Sequence, residues 1–444
     1  MRQRLADIST RLVRLAFGAT IILLPFHLRA TLMARPQPPI YRDYTDLFLF
    51  ASDVFLVATL ILWLASFALE PRRVRFGPLF LTLPIAGVTV FGIISTIGSV
   101  DATLSFYHSI RLLLLDGLYL FTINETRTLE EIAVPAALQV FIQSVVGIAQ
   151  YLQQHSVGLQ WLGELALDPR SKGISTVWSG TDISLRAYGL TDHPNILGGC
   201  LACALLLLVV SSARIESRWR APATVLLAAG TLTLFLTFSR AAWLAAASGI
   251  VLVLGFLFLT RRTRGVLDVL ALGVAVSILL LPFIWRNLGY LDARLNPNEV
   301  SMFTGGNRAL VERDVLNSAT LEIFRAHPIT GIGLGATPIA MRAAFPNLPF
   351  DYQPAHIVLL DVAAETGILG ALAFLVLMFA PWIALWRHRK RLAWSPALIG
   401  ITAALLAVTL IGFFDYYTWL LEPGRLWQWS IWGAWGAIYR LDLR

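Results

Sequence analysis

The stretch PAHIVLLDVAAETGILG, residues 354 to 370, sets His356, Asp361 and Glu365 at the head of an apolar run that two glycines interrupt. Imidazole changes charge nearest neutral pH, which suits a general base. Asp361 and Glu365 are four apart and would share one face of a helix. His356 precedes them by five and nine positions and would lie about 140° and 180° around a continuous helix, away from that face. The spacing therefore puts His356 at the helix's outer end, where a carboxylate orients it only if the helix bends or begins later. Asp361 and Glu365 have a bland alternative, capping and bonding inside a bundle; of the two, Glu365 beside Gly367 is the better candidate for chemistry.

Four arginines stand out in otherwise apolar or motif-like surroundings: Arg111, Arg186 in RAYGLTDHPN, Arg240 in LTFSRAAWL and Arg308 in GGNRALVERD. Guanidinium is planar, permanently charged and donates bidentate hydrogen bonds, so it is a preferred phosphate ligand. At membrane depth it costs several kcal/mol unless it faces a cavity or partner. Pairing of Arg111 with Asp116, snorkelling, or anchoring of a turn by Arg240 would explain them equally well.

Other signals are weaker. HPITGIGLGATP places Gly331, Gly333 and Gly335 at alternate positions; their backbone could approach an anion, but a tight turn is the simpler expectation, since the context is not that of a dinucleotide fingerprint. The His193-Pro194 and His327-Pro328 pairs mark element boundaries, because proline disfavours helix in the residue before it, and their histidines are caps or ligands. Cys200 and Cys203, in a C-x-x-C without a second pair, read as small buried residues and not as a zinc site. Asp43 and Asp46 in YRDYTD belong to a loop, solvated or catalytic. No metal or cofactor is expected.

These residues must be positioned by a membrane-embedded frame. Of 444 residues, 57% are hydrophobic and only 14% charged, far from the composition of a soluble domain. A hydrocarbon core of roughly 30 Å takes about 20 helical residues. Such runs recur near residues 12–33, 47–69, 78–98, 105–123, 132–152, 195–213, 222–238, 242–260, 266–285, 357–386, 396–414 and 426–440. The expectation is an all-α polytopic protein of about 12 spans, residues 1–444 forming one integral-membrane domain. The first span is expected to be retained and not cleaved as a signal peptide.

With the N-terminus in the cytoplasm, the inside segments hold 20 of the 35 basic and 7 of the 27 acidic residues, a net +13 against −5 elsewhere. That asymmetry follows the positive-inside rule. It accounts for the net +8 without any nucleic-acid partner. Two long segments then face outward, residues 153–194 and a large loop at 286–355 between the ninth and tenth spans. Loops of that length are usually functional or disordered. Within the second, the apolar spacing of Leu310, Val311, Val315, Leu316, Ala319 and Ile323 predicts an amphipathic helix over 308–326, lying on the membrane's outer surface.

Taken together, RAYGLTDHPNILGG, LTFSRAAWLAAASG and GNRALVERDVLNSATLEIFRAHPITGIGLG, followed by His356, nine residues from Val358 to Thr366, and Gly367-Ile368-Leu369-Gly370, resemble the O-antigen ligase superfamily of lipid-linked polysaccharide ligases and polymerases. The resemblance covers residues 186–370. Ile357 stands where that signature has a polar residue, and Ala371-Leu372 where ligases often have a threonine pair; both weaken transfer onto a lipid A core in particular. What the resemblance implies is a GT-C-like integral-membrane glycosyltransferase of the bacterial inner membrane, working on its outer face without metal or nucleotide sugar. It would take a glycan from undecaprenyl pyrophosphate and join it, with inversion, to the hydroxyl of a glycan or lipid-linked acceptor. In that frame His356 is the base, Glu365 a second catalytic candidate, and Arg186, Arg240 and Arg308 hold the pyrophosphate, while an apolar groove open to membrane lipid takes the tail. The alternatives are a polymerase of the same superfamily, a protein-directed oligosaccharyltransferase, and a twelve-span transporter, for which matching hydropathy in the two halves is missing.

Overall fold

The computed structural model describes residues 2–179, 181–212, 215–295 and 306–443, with the side chains of residues 2, 3 and 306–309 outside that description. The chain is mostly helical. In order it forms α1 (Arg2–Leu23), α2 (Ala51–Leu69), α3 (Leu79–Ser95), α4 (Ala102–Glu125), α5 (Glu130–Gln153), α6 (Pro194–Ser212), α7 (Ser217–Leu236) and α8 (Arg240–Leu259). It continues with α9 (Thr263–Arg286), α10 (Leu288–Leu295), α11 (Gly306–Ala326), α12 (Thr337–Ala344), α13 (Val358–His388), α14 (Pro396–Ile411), α15 (Tyr417–Leu420) and α16 (Glu422–Asp442).

Among the described residues nine helices are long and apolar enough to cross a membrane: α2 to α9 without exception, and α13. The remaining three predicted spans fall on α1, α14 and α16, of which α14 is apolar but shorter. Only helices satisfy every backbone group internally in lipid, and that requirement dictates this architecture. The innermost elements are α6 and α14, packed on each other and on α8 and α16. Trp427, Trp429, Trp432 and Trp435 of α16 are buried there. At the periphery, α9 packs mainly on α7 and α8 and leaves most of its apolar surface uncovered.

The first predicted span is displaced. Helix α1 ends at Leu23, before Pro25, and Arg29–Met33 form a strand, β1, paired antiparallel with β2 (Leu47–Phe50). Proline cannot supply the next helical hydrogen bond, and the β-branched and long side chains that follow fit a strand. A second hairpin, β3 (Thr176–Ser179) with β4 (Asp182–Leu185), lies in the 153–194 segment. Helix α11 forms over the predicted amphipathic stretch and buries Leu316, Ala319 and Ile323 against α12 and α13, whereas Leu310 and Val311 remain exposed.

Arg111 takes a different partner from the predicted one. Its guanidinium bonds both Asp53 carboxylate oxygens at 3.0 Å and also Glu422, tying α2, α4 and α16 together inside the bundle. Asp116 instead accepts from Thr89 Oγ1 at 2.7 Å and Trp429 Nε1 at 3.3 Å. Five residues apart on one helix, Arg111 and Asp116 point about 140° apart and cannot meet. Cys200 and Cys203 are free and buried in α6.

Helix α13 is broken at Gly367, whose φ of 73° and ψ of −177° belong to a region open only to glycine. Residues 327–336 strap across the break. Carbonyls that lost their helical partners are met by the strap: Ala364 O accepts from Ile332 N at 2.9 Å and Glu365 O from Gly333 N at 3.0 Å, while Ile368 N donates to Pro328 O at 2.8 Å. Gly331, Gly333 and Gly335 all have positive φ. The glycine triplet is thus a turn that hugs the broken helix.

Candidate active site

Of the groups singled out in the sequence, Arg186, His193, His356 and Asp43 converge on one end of the bundle, where α6, α10, α11 and the turns before α8, α13 and α16 meet. A cavity of about 470 Å³ opens there, lined among others by Arg186, His193, Asn195, Arg294, Arg313, His356, Asp415 and Tyr416.

Arg186 follows β4 and is nearly fully buried, 4% exposed. Its three donor directions are fixed: Nε to Thr237 O at 2.6 Å, and the two terminal nitrogens to Ser175 Oγ and Asn195 Oδ1, both at 2.7 Å. The α7–α8 turn that supplies Thr237 O also supplies Phe238 O, which accepts from Arg294 Nε at 3.0 Å. Ser239 then caps α8, its Oγ accepting from Ala242 N at 3.5 Å, and Arg240 is the first residue of that helix. The LTFSR segment therefore works as a bracket: its carbonyls aim two guanidiniums and its last residue adds a third.

Among the described residues, none of Arg186, Arg240, Arg294 and Arg313 forms an ion pair with a carboxylate. The cost is visible in their proton affinity. Burial first and Arg294 next push Arg186 well below the usual arginine range. Arg294 is pushed down to about 10, by burial and then by Arg240 and Arg313. Clustered cations with no direct countercharge are what an anion-binding chamber looks like before its anion arrives.

His356 sits two residues before α13. Three bonds hold its segment: His356 N to Asn317 Oδ1 at 2.8 Å, Ala355 N to Asp361 Oδ1 at 2.8 Å and Val358 N to Gly412 O at 2.8 Å. Asp361 therefore acts as a cap on the turn and does not reach the imidazole. The ring lies edge-on to Tyr416, centroids 5.2 Å apart, and its Nδ1 is buried without a partner. Burial pushes its pKa down to about 4, with Asp415 opposing the shift and Arg313 adding to it. At neutral pH the imidazole is therefore uncharged.

Glu365 is not part of this lining. It is 1% exposed and accepts from Trp419 Nε1 at 2.8 Å and Thr337 Oγ1 at 3.2 Å, the bonds of a bundle-interior carboxylate. Arg240 is half-buried at the cluster's edge. Arg308 starts the first turn of α11, and its side chain lies outside the described residues. Asp43 lines the cavity and pairs with Arg29, whereas Asp46 is held by Arg42 Nε at 2.9 Å and Arg35 N at 2.6 Å.

Sequence reasoning passed over Arg294, Arg313, Asn195 and Asp415. Asn195 links the two charge types, accepting from Arg186 and donating to Asp415 Oδ2 at 2.9 Å. Asp415 and Tyr416 come from the turn between α14 and α16. The FFDYYTW stretch carries a signal that could have found them, since two aromatic hydroxyls and an acid between apolar helices have no membrane-spanning purpose.

None of the curated proteins compared matches this chain. A family model described as O-antigen ligase matches residues 223–375, from within α7 to past the break in α13, and so includes Arg240, Arg313, the strap and His356. That segment, about a third of the chain, is similar to the O-antigen ligase family.

Proposed function

We propose that the chamber takes the pyrophosphate of an undecaprenyl-linked glycan and that the protein transfers this glycan to an acceptor hydroxyl on the outer face of the bacterial inner membrane. The observation that carries this reading is the cluster of arginines that, among the described residues, form no ion pair with a carboxylate, around a cavity that also holds a neutral histidine. The match of residues 223–375 to the O-antigen ligase model supports a glycan-assembling membrane enzyme at a coarser level.

The chemistry follows from the residues. The acceptor oxygen attacks the anomeric carbon; the bond from that carbon to the diphosphate oxygen breaks, and its electron pair leaves on undecaprenyl pyrophosphate. The hydroxyl proton passes to His356, which must be uncharged to accept it. Arg186, Arg294 and Arg313, with Arg240 beside them, stabilise the departing charge with donors that need no rearrangement; the same role is proposed for Arg308. Opposite-face attack gives inversion. Glu365 supports the strap beneath the chamber in this scheme and takes no proton. The acceptor decides between a ligase and a polymerase, and Ile357 in the signature position makes the polymerase the closer competitor.

The test is reconstitution of the full chain in proteoliposomes with undecaprenyl-pyrophosphate-linked glycan. His356→Ala and Arg186→Ala should each lose transfer by 100-fold or more while inserting normally. Wild-type turnover by either variant refutes its assigned role. Substrate uptake without transfer would point to a transporter instead. In cells, deletion should leave lipid-linked long chains if the enzyme is a ligase and single repeats if it is a polymerase.

A further inference from the structure

We infer that His193 is a second functional histidine of this chamber, a neutral imidazole whose Nε2–H is held ready to donate to the donor lipid's diphosphate. The inference rests on the reading that the chamber takes a diphosphate.

The tautomer follows from one hydrogen bond. His193 is the residue before α6, and its own carbonyl accepts from Ile196 N at 3.0 Å and Leu197 N at 3.2 Å. Its ring also caps the helix: Nδ1 lies 3.1 Å from Asn195 N. A backbone amide can only donate, so Nδ1 presents its lone pair and the single proton of the neutral ring sits on Nε2. That nitrogen has no partner among the described residues, yet it is not among the polar atoms closed off from space, and the residue lines the cavity. An N–H without a protein acceptor therefore faces the same space as Arg186, Arg294 and Arg313.

Two features keep the ring neutral. Protonation at Nδ1 would break the cap, and burial, followed by Arg186, Arg294, Arg313 and His356, pushes its pKa well below the ordinary histidine value. The leaving group suits a donor of this kind. A diphosphate departs as a stable anion and requires no proton, so a fixed N–H that strengthens as charge builds is sufficient. The same residue anchors the helix turn from which Asn195 holds Arg186 and Asp415. The His-Pro pair is thus cap and ligand together, one role for each ring nitrogen.

Two substitutions separate these roles. In His193→Asn the amide oxygen can stand in for Nδ1 and keep the cap, but nothing reaches the Nε2 position. In His193→Gln an amide N–H reaches the Nε2 position and the cap is lost. Each is compared with wild type, as the full chain in nanodiscs, by calorimetric titration with inorganic pyrophosphate and by thermal unfolding. His193→Asn should keep its Tm within about 2 °C and bind pyrophosphate at least tenfold more weakly. His193→Gln should lose several degrees in Tm and stay within about threefold of wild-type affinity. If His193→Asn binds pyrophosphate within twofold of wild type, or if affinity tracks Tm across both variants, His193 is only a cap and the inference is overturned. If wild type itself does not bind pyrophosphate, the diphosphate reading of the chamber falls, and this inference with it.

Discussion

Filling the chamber with an anion should change the proton affinity of His356, and the size of the change can be worked out. In the empty chamber its pKa is down to about 4, against about 6.5 for a free histidine. One unit of negative charge placed roughly 8 Å away, at an effective dielectric constant of ~20, favours the imidazolium by about 2 kcal/mol, or about 1.5 pKa units. The bound-state value is then about 5.5. At pH 5 the protonated fraction rises from about 0.1 to about 0.8, so binding should take up about 0.7 proton at this residue; at pH 7.5 it should take up almost none. Titration with inorganic pyrophosphate in two buffers of different ionisation enthalpy measures the uptake. The difference between wild type and His356→Ala isolates this residue from His193, Asp415 and the ligand's own titration. A difference below about 0.2 proton at pH 5 would show that His356 does not feel the bound anion, and so is not placed to serve as a base beside it. The sign matters for catalysis as well: the base is competent above its pKa, so the titration of His356 should lower activity on the acid side.

Two further outcomes concern the frame. Arg111→Gln leaves Asp53 and Glu422 buried at 3% and 5% exposure without their cation, which should cost about 3–5 kcal/mol and appear as a lower Tm in detergent; adding Asp53→Asn and Glu422→Gln should restore most of it, and no recovery would mean the pair is not what the arginine serves. Gly367→Ala puts a methyl group against the backbone carbonyl of Ile329 at a φ of 73°, for about 1–3 kcal/mol from the backbone conformation alone, so both Tm and transfer should drop; an unchanged Tm would refute the strap as the reason for that glycine.

Much of the frame was legible because lipid imposes it. Nine of the twelve expected spans coincide with helices long and apolar enough to cross a membrane, since long apolar runs in lipid leave no other way to satisfy the backbone. The first expected span is too long: Pro25, His27 and Arg29 already interrupt the apolar run, but only pairing with Leu47–Phe50 shows that residues 29–33 are a strand. The partner of Arg111 was hidden for a related reason. Asp53 and Glu422 are 58 and 311 residues away, and a sequence shows spacing along one helix far more readily than contact between three.

The chamber divides in the same way. Arg186 and His356 were found by their motifs, and the structure brings them to one cavity; Glu365 came from its spacing to Gly367, and packing gave it to the strap. Arg294 and Arg313 escaped because an arginine among other charges in a polar loop looks like a solvated one. What distinguishes them is that, among the described residues, neither forms an ion pair with a carboxylate though both line one cavity, a property of the folded arrangement of α10 and α11. That arrangement is costly while empty, since each cation lowers the proton affinity of its neighbours. A binding site can sustain this only if the missing charge comes with the substrate, and then the repulsion of the free state adds to the selectivity for a multiply charged anion. A singly charged ligand would leave most of the repulsion in place, so under the proposed function a diphosphate should bind more tightly than a carboxylate or a single phosphodiester.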